Sequence, residues 1–165
     1  MKKRIWFVIN PISGVRRKDD IPALVRQYLN HEQFTFEIQY TQYKGHAIEL
    51  AKNAVKLGID IVCAVGGDGS VHEVGTALIG SKTSLAVIPI GSGNGLARHM
   101  AIPRNIRLAI ETINQNHHIQ MDTVLVNDQP FLGVGGYGLD AVIAQKFDQD
   151  KKRGFWTYVK HVFKE

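Results

Sequence analysis

Three runs of this chain are apolar at nearly every position: RIWFVIN at 4–10, DIVCAV at 60–65 and SLAVIPI at 84–90. A strand with one wet face alternates apolar and polar residues. A strand apolar throughout is buried on both faces, as inside a parallel sheet covered by helices. The segments between the runs carry the helical period. In GHAIELAKNAVKLG, Ala47, Ile48, Ala51, Ala54 and Val55 form one apolar stripe opposite Glu49, Lys52, Asn53 and Lys56, and Gly58 suits the helix end. NIRLAIETINQ sets Ile106, Ala109, Ile110 and Ile113 on one face, and IPALVRQYLN carries Pro22 in its first turn, with Asp19 and Asp20 as capping candidates. SVHEVGTALIG reads as another helix, and FTFEIQY alternates, which adds a strand with Phe34, Phe36, Ile38 and Tyr40 on one side. Strand and helix alternating at this spacing predict an open α/β fold with a mostly parallel sheet.

The alternation stops near residue 119. IQMDTVLVN and PFLGVGGYG are two strand-like runs joined by the turn NDQ, with no helix between them. The expected organisation is therefore an α/β domain over residues 1–120 and the start of a β-rich second domain over 121–165. That second part is too short to close on itself. It would expose Phe131, Leu132, Val134 and the Phe155–Trp156 pair, which self-association into a homo-oligomer would cover.

Composition narrows the setting. A length of 165 residues gives one domain a real core. No apolar run approaches the roughly 20 residues of a membrane span. The basic, then apolar opening MKKRIWFVI is too short in its apolar part for a signal peptide. The single cysteine, Cys63, excludes an internal disulfide and suits a reducing cytoplasm. The net charge of +5 clusters at Lys2, Lys3, Arg4, Arg16, Arg17 and Lys18 and again at Lys146, Lys151, Lys152 and Arg153. Such clusters suit phosphates or an anionic membrane surface. The interleaving of basic and aromatic residues that RNA-binding sheets use is missing, so nucleic acid is not an expected partner.

The chemistry concentrates in three glycine-bearing segments, each just after an apolar run: NPISG, GGDGS and GSGNG. In an open α/β sheet those strand ends share one edge, where ligands bind. Glycine lets backbone approach a phosphate closely, and a following helix aims N–H groups at the anion. GGDGSVHE contains no G-x-G-x-x-G, and no G-x-x-x-x-G-K-[ST] occurs anywhere in the chain, so this is neither of the two best-known phosphate patterns. Asp68, the only charge in GGDGS, repels phosphates unless a cation or a proton intervenes. It is thus a candidate to hold Mg²⁺, directly or through water, or to take a proton from an attacking hydroxyl; the alternative is an Asx-type turn capping the helix that follows.

NPISG, Thr41 followed by GHAIELA, GGDGSVHEV, PIGSGNGLAR and FLGVGGYGLDA stand in the order and spacing of the diacylglycerol kinase catalytic family. The chain resembles that family over nearly its whole length. The resemblance implies a Rossmann-like first domain of the type shared with NAD kinase, an ATP site between the glycine loops, Mg²⁺, and a lipid hydroxyl as phosphoryl acceptor. Matched by position, it implies that Asn10, Ser13, Gly14 and Thr41 line the nucleotide cleft. Gly66, Gly67, Asp68, Gly69 and Ser70 would surround the phosphates, with Glu73 close behind, and Ser92 and Asn94 would be the polar groups of the next loop. Asp68 is the catalytic and metal candidate, and the general base is expected in the second domain. Ser70 and Ser92 stand where many bacterial relatives have Thr, and GSGNG is nearer the sphingosine-kinase style than the common bacterial form.

The same resemblance implies a cytoplasmic protein that meets its lipid peripherally at a membrane, docked through Lys2–Arg4 or Lys151–Arg153 at about 1 kcal/mol per cation. Two other functions share the glycine elements: a nucleotide-binding module without catalysis, and an NAD-kinase-like enzyme. Among the remaining polar residues, His46 at a helix start suits a cap or a phosphate contact, His72 reads as a surface residue, and His117–His118 reads as loop.

Overall fold

The computed structural model describes residues 1–11 and 20–133. Four strands, β1 (Lys3–Ile9), β2 (Phe34–Tyr40), β3 (Ile61–Gly66) and β4 (Ser84–Pro89), form one sheet in the order β2-β1-β3-β4. Every pairing in it is parallel: Ile5 lies beside Phe36 on one side and Ile61 on the other, and Cys63 lies beside Ala86. Helices α1 (Ile21–Tyr28), α2 (His46–Lys56), α3 (Asp68–Leu78), α4 (Gly95–His99) and α5 (Ile106–Asn114) fill the connections. The α/β fold expected from the apolar runs is the one observed.

Alternate side chains of the central strands feed two cores. Ile5, Phe7 and Ile9 of β1 join Ile61, Cys63 and Val65 of β3 beneath α1 and α5, with Ile21, Val25, Ala109 and Ile110. Trp6, Val8, Val62 and Ala64 pack on the other face against Ala47, Ala51 and Ala54 of α2 and Val71, Val74 and Leu78 of α3. Every residue of β3 is buried, which is why its sequence shows no alternation. Tyr40, assigned to the apolar face of β2 by alternation, is 48% exposed because β2 is an edge strand running out of the sheet there.

Local signals match closely, with informative exceptions. Asn105 caps α5, accepting the Leu108 N–H at 3.2 Å. Asp20 stands at the start of α1 but makes no side-chain cap, and Asp19 lies outside the described residues. Helix α3 starts at Asp68, two residues before the Ser70 that sequence reasoning favoured. The end of α2 is capped from a distance: the Arg4 guanidinium donates to the Leu57 and Gly58 carbonyls at 2.6 and 2.8 Å.

The pattern change near residue 119 is a two-stranded antiparallel hairpin, β5 (Val124–Val126) and β6 (Gln129–Phe131). Asn127 and Asp128 both have positive φ, 48° and 61°, the signature of the two-residue type I′ turn. Leu132 is buried against α3 instead of exposed, in contrast to the open face expected for it; Val134 and the Phe155–Trp156 pair lie outside the described residues.

Candidate functional site

The parallel sheet brings the ends of β1, β2, β3 and β4 to one edge, and the glycine loops after β3 and β4 meet there through their backbones. A Cβ on Gly91 would lie 2.5 Å from the Gly67 Cα and 2.8 Å from Asn94 Oδ1; one on Gly67 would lie 3.3 Å from the Gly91 Cα. Gly91 is required for this contact, and at Gly67 a Cβ would be tight. The Gly66 carbonyl accepts the Ile90 N–H at 3.0 Å, which closes the gap between the loops just beyond the sheet.

Asp68 locks the pair. Its Oδ2 accepts the Asn94 N–H at 2.8 Å and its Oδ1 accepts the Gly95 N–H at 2.6 Å. The carboxylate thus caps the first turn of α4, a helix it does not belong to, instead of its own helix as an Asx turn would. Asp68 is exposed, so water competes for its carboxylate and such charge-assisted bonds are worth no more than the low end of about 1.5–3 kcal/mol each. Gly93 leaves space for the carboxylate, since a Cβ there would lie 2.6 Å from Asp68 Oδ2 and displace it. Asn94 completes the clasp: it is buried, its Oδ1 accepts the Gly91 N–H at 3.0 Å and its Nδ2 donates to the Gly91 carbonyl at 2.6 Å. These bonds hold it at φ 55° and ψ 48°, a left-handed conformation that Asn tolerates better than most residues.

The other expected site residues fall around this clasp to differing degrees. Gly69 and Ser70 form the first turn of α3, whose opening N–H groups have no acceptor inside the helix. Ser70 is buried, Glu73 is half-buried one turn on, and Ser92 is exposed in the β4 loop. Asn10 follows β1, with its N–H on the Val65 carbonyl at 3.2 Å, beside the start of the β3 loop. Thr41 is buried at the end of β2, its N–H on the Ile9 carbonyl at 3.0 Å. Ser13 and Gly14 lie outside the described residues. No cluster of three or more His, Cys, Asp or Glu side chains able to hold a metal exists among the described residues.

Sequence reasoning missed the roles of Gly91, Gly93 and Gly95. Their spacing signals close backbone approach, but what they approach is set by the order of β3 and β4. It also misplaced His72, which is half-buried on α3: its Nδ1 lies 3.1 Å from the Leu132 carbonyl and its ring 5.6 Å from that of Phe131. A Cβ on Gly75 would meet Leu132 Cδ2 at 2.1 Å, so α3 carries a fitted socket for Leu132 one turn further along. His46 has a structural partner, accepting the Gln42 N–H on Nδ1 at 3.1 Å. Cys63 is fully buried in β3, and that burial pushes its thiol pKa well up, leaving it an unreactive core residue. No helix among the described residues is long and apolar enough to cross a membrane.

Residues 4–126 match the diacylglycerol kinase catalytic domain family. The chain is 33% identical to the diacylglycerol kinase of Bacillus subtilis over 82% of its own length and 46% of that protein's. It is 30% identical to the uncharacterized protein sll0036 of Synechocystis sp., over 93% of its own length and 38% of that protein's. Among solved structures it resembles a diacylglycerol kinase from Bacillus anthracis, with a TM-score of 0.69 and 26% identity, over 79% of this chain and 48% of that one. The chain thus spans less than half the length of each of these relatives.

Proposed function

The chain belongs to the diacylglycerol kinase catalytic domain family, and from that premise we propose that it is the nucleotide-binding part of an ATP-dependent kinase acting on a lipid hydroxyl. Diacylglycerol or a related lipid such as a sphingoid base is the acceptor. Residues 1–120 hold the nucleotide, and 121–165 open the domain that meets the lipid and supplies the general base. The observation that carries this reading is the clasp between the β3 and β4 loops. Two glycine-bearing backbones are held together there by the side chains of Asp68 and Asn94.

The residues present fit a polyphosphate. Gly91 leaves room where a Cβ would intrude, and the opening N–H groups of α3 favour an anion by position and by helix dipole. They fit Mg²⁺ less directly. Both Asp68 oxygens already accept N–H bonds, so this carboxylate suits a metal held through water better than one bound directly. When bound, the metal would supply charge neutralisation during phosphoryl transfer. This chain's own share is to bind and orient: the cradle fixes the phosphates in line with an incoming hydroxyl, and Asp68 keeps the two loops at a constant separation.

The acceptor lives in a membrane, so the setting is a cytoplasmic protein in peripheral contact with the bilayer. Lys2–Arg4 are poorly sited for that contact. They start β1, at the edge of the sheet opposite the glycine loops, roughly 20 Å away over a strand of this length. Lys3 and Arg4 are also engaged, with Asn116 and with the end of α2. The other docking candidate, Lys151–Arg153, lies outside the described residues.

The test is calorimetric titration of the chain with ATP and Mg²⁺ beside Asp68→Asn. The reading expects saturable binding by the parent and a loss of about tenfold or more in the variant, since an amide would point an N–H at one of the two donors now facing Asp68. A folded parent that ignores ATP sinks it. Phosphorylation of NAD in place of lipid would move the protein to the NAD-kinase-like alternative.

A further inference from the structure

Tyr43, in the loop between β2 and α2, is 52% exposed yet held in one orientation. Its ring lies on the His46 imidazole, with centroids 4.5 Å apart and planes within 14°. Its hydroxyl donates to Glu49 Oε2 at 2.8 Å. The imidazole beneath is itself fixed by the Gln42 N–H on Nδ1. The result is a rigid aromatic plate with one face covered and the other open, needing little further ordering to bind. Nothing in the core explains it, because the ring belongs to neither of the two buried clusters.

Its place in the fold suggests its use. Strands lie about 4.8 Å apart in a sheet. In the order β2-β1-β3-β4, the loop after β2 is therefore about 10 Å from the glycine loop after β3, on the same edge. That separation suits a ligand whose phosphates rest in the cradle and whose flat end reaches across β1. The surroundings of the plate are polar and exposed, including Gln42, Lys44 and Glu49. An acyl chain would find no apolar enclosure there, whereas a planar ring with polar edges finds a stacking surface and hydrogen-bonding neighbours.

We propose that Tyr43, backed by His46, is the base platform of the nucleotide site and stacks on the purine of ATP. The inference rests on the nucleotide reading above and adds to it a residue that separates ATP from bare polyphosphate. The experiment uses two ligands, ATP with Mg²⁺ and inorganic tripolyphosphate with Mg²⁺, titrated calorimetrically into the parent, Tyr43→Ala, Tyr43→Leu and Tyr43→Phe. Tyr43→Ala and Tyr43→Leu are expected to weaken ATP about tenfold, with tripolyphosphate unchanged and Tyr43→Phe within about twofold of the parent. Tyr43→Leu keeps apolar bulk without a π face, so it separates stacking from simple support of the loop. Equal losses for both ligands, or ATP binding indifferent to Tyr43→Ala, overturn the platform. A parent that binds tripolyphosphate as tightly as ATP also overturns it while leaving the phosphate cradle standing. A parent that binds neither overturns the nucleotide reading and the platform with it.

Discussion

The paired loops after β3 and β4 and the hairpin β5–β6 are both short and both packed beside α3, outside the four-stranded sheet, and they are built in opposite ways. In the loops, the side chains of Asp68 and Asn94 are both engaged and the backbones touch through glycine. In the hairpin, Val124, Leu125 and Val126 are 60%, 66% and 53% exposed, and attachment to the domain runs through Leu132 and His72. A two-stranded hairpin is marginal by itself, so its order is borrowed from α3. The loops are complete as they stand. The hairpin presents apolar surface of the kind that marks a contact not made within the described residues.

The contrast is sharpest under substitution. Gly91→Ala should cost the most, about 3 kcal/mol, because the new methyl meets the Gly67 backbone and no side chain can move aside. Gly69→Ala, whose Cβ would meet nothing within 4 Å, is the matched control and should leave stability nearly unchanged. Urea unfolding of both variants decides it, and equal midpoints would mean that the loops do not touch as described. Leu132→Ala should follow at about 2 kcal/mol, set against an effect near zero for Leu125→Ala. Hydrogen exchange in residues 124–131 should rise in Leu132→Ala alone. If Leu125→Ala loosens the hairpin equally, Leu132 is not its anchor.

Asp68→Asn should come next, at about 1.5 kcal/mol, since one of two charge-assisted bonds is lost and the other weakened. The measurement that separates this from general damage is exchange at the Asn94 and Gly95 amides, which should accelerate while β1 and β3 stay protected. Unchanged protection there would break the clasp.

How much of this was legible beforehand follows from the range of the interactions. The central strands, the stripes of α2 and α5 and the turn at Asn127–Asp128 are local patterns, and each was readable from neighbouring residues. That the ends of β1, β3 and β4 share one edge was also readable, because a parallel sheet with helical crossovers forces it. The partner of Asp68 was not. Its bonds join residues 26 and 27 positions away, and only the adjacency of β3 and β4 makes them neighbours. The same holds for His72, polar and on a helix and therefore read as surface, whose partner Leu132 lies 60 residues on. Tyr43 is the opposite case: its partners His46 and Glu49 are three and six residues away, but an aromatic residue in a loop gives no sign of stacking until the helix start is placed.

The smallest expected effect lies on the segment that leads from α5 to the hairpin. His118 there sits 3.1 Å from the Lys3 ammonium and 2.9 Å from Asn116 Oδ1, tying the segment to the start of β1. Partial burial, with the charges of Lys3 and His117 adding to it, lowers its pKa below the ordinary 6.5. In the window between 6.5 and the folded value, the unfolded chain binds more proton than the folded one, so stability rises with pH across it. The contribution is complete above 6.5 and is lost as pH falls through the folded pKa. His118 is mostly exposed, so solvent keeps the slope shallow. Thermal melts from pH 7.5 to 5 should show a small decline that His118→Gln removes. Exchange in residues 124–131 should loosen over the same range if the tether steadies the hairpin, and the Asn94 and Gly95 amides should not follow. Loosening of both regions together would mean that the two are one cooperative unit, and the contrast between a complete site and a borrowed hairpin would fall.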